Sequence, residues 1–218
     1  MSKTVKMKSF DGVTLNTKGK IVDDNIKIVP ELPVYKGEAE NVRYSEVDSI
    51  LSRKIVSYSN TSLTTLGSYA FAGCSQLAEV YLPKVEVVSP YSFQGTKIKI
   101  LHLPKVKTIG SNGIYLNSYL KELYLDSVGG LASGAIRGSV QLIKLVIGNK
   151  NKVCTVEASN AFAECYHLSG TVHNTYNPEG LKDGLIYVPD HLIEDYKVAQ
   201  YWSVFADQFR PLSELEEA

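Results

Sequence analysis

The sequence has few of the residues that brace a fold covalently or carry reactive chemistry. Only three cysteines, one tryptophan and two methionines occur among 218 residues. A small, odd number of cysteines does not predict the disulfide framework of a compact secreted domain. Two of them, Cys74 and Cys165, fall in the same phrase of a repeat, so we expect them to be small buried apolar residues.

The sequence also lacks net charge and any long apolar run. Lys plus Arg and Asp plus Glu number 23 each, giving a formal charge of zero. This balance removes the long-range attraction expected of a protein that binds nucleic acid or an anionic membrane. No apolar stretch approaches the ~20 residues that span a bilayer, so membrane insertion is not expected. The start, Met1 to Phe10, alternates apolar and charged residues, unlike a signal peptide.

Self-similar segments make up most of the chain. Leu66, Val88, Ile109, Leu131 and Val156 form one apolar column, with spacings of 21 to 25 residues. Repeats of this length are typical of solenoids. Two further columns recur with the same spacing. One consists of apolar triplets: Leu77/Val80/Leu82, Ile98/Leu101/Leu103, Leu120/Leu123/Leu125 and Leu142/Leu145/Ile147. The other consists of large apolar residues: Phe71, Phe93, Ile114, Ile136 and Phe162.

The columns predict a stack of about five short coils. The last two residues of each triplet are two positions apart, as in a short strand with one buried face. A single coil cannot bury both sides of its apolar strip, whereas stacked coils can. We therefore predict a β-rich α/β repeat solenoid with short parallel strands. Residues 55–60 are predicted to form a degraded strand of an earlier coil, and residues 45–51 a short amphipathic helix.

One segment carries a resemblance to a known family. The phrase from Leu66 to Pro83, LGSYAFAGCSQLAEVYLP, resembles the repeat of the BspA-like subclass of bacterial leucine-rich repeats. The tail at 186–212 is similar to the C-terminal cap found behind such repeats in proteins of Firmicutes and their phages. Residues 45–215 share this resemblance. It implies a leucine-rich-repeat fold and a role in adhesion, surface display or a phage virion or tail.

The two ends differ from the repeat. Residues 4–15, with Asp11-Gly12 between two apolar runs, predict a hairpin with a type I′ turn, and 21–22 and 26–29 suggest more strand. In the tail, residues 185–188 predict a strand, Asp190 a helix cap, and the following aromatic residues a hydrophobic face. The predicted domains are an N-terminal β-rich appendage and linker at 1–44, the solenoid at 45–184, and a strand-helix cap at 185–218.

Candidate chemical sites are weak. Cys154, Cys165, His167 and His173 match no standard zinc spacing, and Cys165 already belongs to the repeat. No nucleophile stands at a strained elbow, and the glycines at 129–134 lack the Lys-Ser/Thr of a phosphate loop. We therefore predict that the protein is not an enzyme and has no metal, cofactor or catalytic residue.

The outward positions of the strands are the candidate binding residues. Stacking would place equivalent positions in rows about 5 Å apart. Solenoids use such faces for recognition and tyrosine is frequent at interfaces, although tyrosine also suits a strand for its own packing. The central row is Tyr81, His102, Tyr124 and Val146, and the row one step before the buried pair is Glu79, Ile100, Glu122 and Lys144.

Two function classes follow from these observations. The first is a binding or structural module in a phage virion or tail, favoured by the short chain, the N-terminal β-unit, the tail resemblance and a start that does not resemble a signal peptide. The second is a bacterial surface adhesin of the leucine-rich-repeat type. The expected partner is a protein or a cell-surface glycan, and homo-oligomers or virion assembly are compatible with either class. The expected location is the virion or, through a non-Sec route, the bacterial surface, and otherwise the cytoplasm.

Overall fold

The computed structural model describes residues 55–216 continuously, with short strands at 7–8, 14–15, 21–22 and 41–42. No helix within these described parts is long and apolar enough to cross a membrane. Sixteen strands occur in the described residues: β1 Met7–Lys8, β2 Thr14–Leu15, β3 Ile21–Val22, β4 Asn41–Val42, β5 Ser57–Ser59, β6 Thr65–Leu66, β7 Glu79–Tyr81, β8 Val87–Val88, β9 Ile100–His102, β10 Thr108–Ile109, β11 Glu122–Leu125, β12 Gly130–Leu131, β13 Lys144–Ile147, β14 Thr155–Val156, β15 Leu185–Val188 and β16 Phe209–Pro211.

The predicted parallel solenoid is confirmed. Its back sheet, in the described residues, has the order β14-β12-β10-β8-β6-β4 with every pair parallel. The register places Leu66, Val88, Ile109, Leu131 and Val156 beside one another, which is the apolar column seen in the sequence. Because β4 pairs with β6, one more strand joins this sheet from within the predicted N-terminal segment 1–44.

The front sheet is built from the apolar triplets and is divided into two parts. Strands β9, β11, β13, β15 and β16 form one parallel sheet, and β5 pairs with β7 in another. Strand β7 lies against β9 without a regular ladder between them. The degraded strand predicted at 55–60 is β5, whose central Tyr58 is fully buried.

The core lies between the two sheets and the turns that connect them. The third predicted column, Phe71 to Phe162, is buried throughout. A polar column, also buried, runs beside it at the cysteine position of the repeat. In its centre, Asn117 donates from Nδ2 to the Phe93 carbonyl at 2.8 Å and accepts from the Thr96 backbone N–H at 3.1 Å. Asn117 therefore joins its coil to the preceding one by hydrogen bonds. The members of the polar column are Cys74, Thr96, Asn117, Ser139 and Cys165.

Four coils in the described part of the chain turn through two left-handed backbone positions four residues apart. Glycine occupies some of them without strain, as at Gly95 and Gly138. Others are filled by side chains that rarely adopt a positive φ, such as Tyr69 at 61° and Leu116 at 55°. The turns recur from one coil to the next, and the Tyr69 and Leu116 side chains at these positions are exposed. The positions are 69 and 73, 91 and 95, 112 and 116, and 134 and 138.

The C-terminal segment extends the front sheet as well as covering it. Strand β15 has the bounds expected from the sequence and pairs with β13, and β16 then pairs with β15. Helices α1 Tyr166–Ser169, α2 Ile193–Val198 and α3 Ser213–Glu216, with 3₁₀ turns at Asp190–Leu192 and Ser203–Gln208, complete this end. Trp202 is fully buried, and its Nε1 donates to the Cys154 carbonyl at 2.6 Å. Burial of the aromatic cluster agrees with a capping role.

One detail of the predicted cap is wrong. Asp190 does not cap the helix that follows it, because the first helical turn is preceded by Pro189 and has no side-chain capping bond. The Asp190 carboxylate instead accepts a hydrogen bond from the Ser213 backbone N–H at 3.2 Å. Hydrogen bonding from the Ser213 side chain, and then from this backbone N–H, lowers the pKa of the carboxyl. This bond ties the start of the cap to its end.

The N-terminal strands form an antiparallel sheet of order β1-β2-β3. Met7 pairs with Leu15 and Lys8 with Thr14, which confirms the pairing of the predicted hairpin. The turn at Asp11-Gly12, the strand at 26–29 and the helix at 45–51 lie outside the described residues. The division into 1–44, 45–184 and 185–218 stays a prediction.

Candidate binding surface

The central outward row follows the register of the front sheet. Tyr124 lies beside His102 on one side and Val146 on the other. The row then continues beyond the predicted residues, because Val146 pairs with Tyr187 and Tyr187 with Arg210. At the other end Tyr81 pairs with Ser59. The structure therefore brings the predicted residues onto one face and adds a tyrosine and an arginine from the cap.

The side chains of this row are less exposed than their outward positions suggest. Tyr81 and Tyr124 are half-buried, and the His102 side chain is only 12% exposed. Val146 is 4% exposed because it lies between two tyrosines. The row is thus a closely packed aromatic strip, and an approaching partner would meet fixed side chains. Such surfaces lose little conformational entropy when they are covered.

Hydrogen bonds hold the strip in place. His102 Nε2 lies 2.6 Å from Asp126 Oδ2, and the His102 ring meets the Tyr124 ring edge-on at 5.9 Å. Tyr124 donates from its hydroxyl to Glu122 at 2.5 Å, and Lys144 Nζ lies 3.1 Å from the same carboxylate oxygen. The network spans strands β9, β11 and β13. Nothing in the local sequence around Asp126 indicates its contact with His102, which lies 24 residues earlier in the chain.

The second predicted row combines charge with one exposed apolar side chain. Ile100 is 45% exposed and stands directly beside Glu122 in the register. Glu79 is an exposed residue, yet partial desolvation raises the pKa of its carboxyl above the ordinary value. Together, the two rows form a surface with an aromatic strip, one exposed apolar side chain and paired charges; aromatic residues are enriched at protein interfaces, whereas Lys and Glu are depleted there.

The residues considered for metal or nucleophilic chemistry have other contacts. The Cys165 Sγ donates to the Ile136 carbonyl, and burial raises the pKa of the Cys154 and Cys165 thiols to about 12. His167 pairs with Asp183 at 2.7 Å. Within the described part of the chain, no group of three His, Cys, Asp or Glu side chains is arranged to hold a metal ion.

A second exposed row lies on the turns and was not anticipated from the sequence. The Tyr69 and Tyr91 rings stack at 4.9 Å with an interplanar angle of 3°, and Tyr115 meets Tyr91 edge-on at 6.2 Å. The Arg137 guanidinium lies 5.7 Å from the Tyr115 ring centre and pairs with Glu164 at 2.6 Å. The signal in the sequence was a tyrosine two residues before Phe71 and before Phe93, at 69 and 91.

Comparison with known proteins identifies the repeat. A family model described as a BspA type leucine-rich repeat region matches residues 51–169 in six copies. The crystal structure of a leucine-rich repeat protein from Bacteroides ovatus is similar, with 15% sequence identity and a TM-score of 0.41, over 88% of this chain and 55% of that chain. The chain thus spans little more than half the length of that protein. No curated protein sequence matches the chain.

Proposed function

The chain belongs to the BspA-type leucine-rich repeat family, whose members are typically non-catalytic, and we propose that it binds a protein partner through the face of its front sheet. The observation that carries this proposal is the aromatic strip of Tyr81, His102 and Tyr124, in which His102 and Tyr124 are held by hydrogen bonds to Asp126 and Glu122. Rigid aromatic side chains supply much of the energy of protein interfaces.

The charges beside the strip would determine which partner the surface selects. Glu122 and Lys144 are paired across adjacent strands, and Glu79 lies farther along the same row. Because charges at the edge of an interface act mainly on the rate of encounter and on specificity, a partner would be selected by its complementary charges. The aromatic strip and Ile100 would then supply contact area.

We further propose that this module is part of a phage virion or tail. Support comes from the resemblance of the tail at 186–212 to caps in phage and Firmicutes proteins, and from the small N-terminal sheet β1-β2-β3, which offers a second unit for attachment. A bacterial surface adhesin is the competing assignment. Tail genes on both sides of the gene would support the virion assignment, and genes for cell-wall sorting would support the adhesin.

The experiment compares wild-type protein with a variant carrying Tyr81→Ala, His102→Ala and Tyr124→Ala. Each protein is tested for binding to purified tail particles and to intact cells of the bacterium that carries the gene. The matched control carries Val87→Ala and Thr108→Ala, two exposed neighbours on the back sheet.

We expect the front-sheet variant to lose binding to one of the two targets while the back-sheet control keeps it. Tail binding would support the virion assignment, and cell binding alone would support the adhesin. Equal binding by all three proteins would refute the front-sheet proposal and leave residues 1–44 as the better candidate for attachment.

A further inference from the structure

We propose that a depression between three neighbouring coils binds a neutral sugar residue of monosaccharide size. It has a volume of about 280 Å³ and lies on the turn side of the solenoid, before the front strands begin. This is near the lower end of the volumes of small-molecule sites, which favours a ligand no larger than one sugar ring. The inference does not depend on the front-sheet proposal.

The depression exists because one coil lacks a side chain that the next coil has. Gly95 and Leu116 occupy the same left-handed turn position in successive coils, with φ values of 69° and 55°. A Cβ at Gly95 would meet no atom within 4 Å, so the space above it is open. Leu116 is 40% exposed and forms one wall.

An aromatic ring and a cation face the same space. Tyr119 is 46% exposed, and Lys97 Nζ lies 5.9 Å from its ring centre. Lys97 also contacts Gln76 Oε1, at 3.5 Å. Both distances are at the outer limits of the respective interactions, so Lys97 can turn to a ligand at little cost. The ring and the ammonium group are therefore available to bind the same molecule.

The remaining lining groups are neutral and polar. Ser75, Gln76 and Ser118 contribute hydroxyl and amide groups around the depression. Within the described part of the chain, no hydrogen bond engages the hydroxyls of Ser75 and Ser118. A pyranose has an apolar C–H face that packs on an aromatic ring and hydroxyls that exchange hydrogen bonds with amides and hydroxyls. One lysine with no second cation suits a neutral sugar better than a phosphate, which favours several donors.

The test is a titration of isotope-labelled full-length protein followed by backbone amide NMR shifts. The added molecules are glucose, galactose, mannose, rhamnose and N-acetylglucosamine, each alone, and then inorganic phosphate. We expect saturable shifts at Gly95, Lys97 and Tyr119 for at least one sugar, with a dissociation constant on the order of 1 to 10 mM, typical of a few contacts.

Variants separate the site from general surface effects. Tyr119→Ala is expected to weaken sugar binding at least tenfold, whereas Tyr119→Phe should keep it within about threefold, because stacking needs only the ring. Tyr69→Ala is the control, since Tyr69 is exposed to 45%, almost the same extent as Tyr119. A purified cell-surface polysaccharide that contains the preferred sugar is then tested, and tighter binding than the free sugar would identify a glycan chain as the natural source.

Three results would overturn the proposal: no saturable shifts with any sugar, sugar binding unchanged in Tyr119→Ala, or shifts at these residues with phosphate alone. The triple front-sheet variant should bind the sugar normally. Failure of the sugar site can therefore be distinguished from failure of the front-sheet proposal.

Discussion

Replacing Phe71 with alanine should remove a large part of the stability of the N-terminal coils. The side chain is fully buried, with its ring centre 4.9 Å from that of Tyr58 and 5.5 Å from that of Phe93. Truncating a buried phenylalanine to alanine costs about 3–5 kcal/mol, the sum of lost transfer energy and the cavity left behind. Because two aromatic neighbours lose their ring contact, each worth about 0.5–1.5 kcal/mol, the upper part of that range is expected.

The repeat itself supplies the control for this experiment. Ile114 and Ile136 hold the same column position in later coils and are equally buried. Phe71→Leu, which keeps an apolar side chain in the column, should therefore cost less than half of what Phe71→Ala costs. Tyr119→Ala, which truncates an exposed aromatic side chain, should change stability by less than about 0.5 kcal/mol.

The measurement is equilibrium unfolding in urea, followed by circular dichroism and by amide hydrogen exchange. Because each coil contacts only its neighbours, exchange should rise first in residues 55–95 and later in the coils near the cap. A loss below about 1 kcal/mol for Phe71→Ala would show that this column does not form a packed core. Uniform loss of protection along the chain would instead contradict the nearest-neighbour description.

Two further predictions concern the C-terminal cap and the thiols. Deleting residues 186–218 should expose the edge of β13 and the apolar end of the stack. We therefore expect aggregation or loss of cooperative unfolding, measured by light scattering and calorimetry. A soluble truncation that unfolds cooperatively would contradict the capping role. Burial raises the pKa of the Cys154 and Cys165 thiols from 9.0 to about 12, so at pH 8 both should react with a thiol reagent only after unfolding. Because the unfolded thiols lose their protons first, the free energy of unfolding should fall as pH rises from about 9 towards 12, and should fall less in a Cys154→Ala, Cys165→Ala variant. The same fall in both proteins would show that these thiols do not contribute.

The apolar columns predicted the fold because burial leaves little choice at those positions. Leu66, Val88 and Ile109 had to face the same interior for any coil to be stable, and the parallel register places them side by side. The bounds of β15 were predictable for the same reason, since Ile186 and Val188 alternate with more exposed residues. Periodicity therefore predicted the strands and their shared face.

Contacts between polar side chains from different coils were not predictable in the same way. Asp190 has the pattern of a helix cap, yet its carboxylate meets the Ser213 backbone 23 residues later. Asp126 ends a strand, and only the stacking of coils brings it to His102. Several partners are available to such groups at similar energies, so the choice depends on geometry that the local sequence does not contain.

The regular columns also indicate where binding residues are to be sought. A solenoid keeps its backbone path as long as the inward positions are filled, so outward positions and turn positions can change without loss of fold. Variation is found at those places: the central row changes from Tyr81 to His102 to Tyr124, and the second turn position changes from Gly95 to Leu116. The first change produces the hydrogen-bonded strip on the front sheet, and the second produces the depression lined by Tyr119. Neither feature is needed to close a coil, and we propose that each serves contact with another molecule.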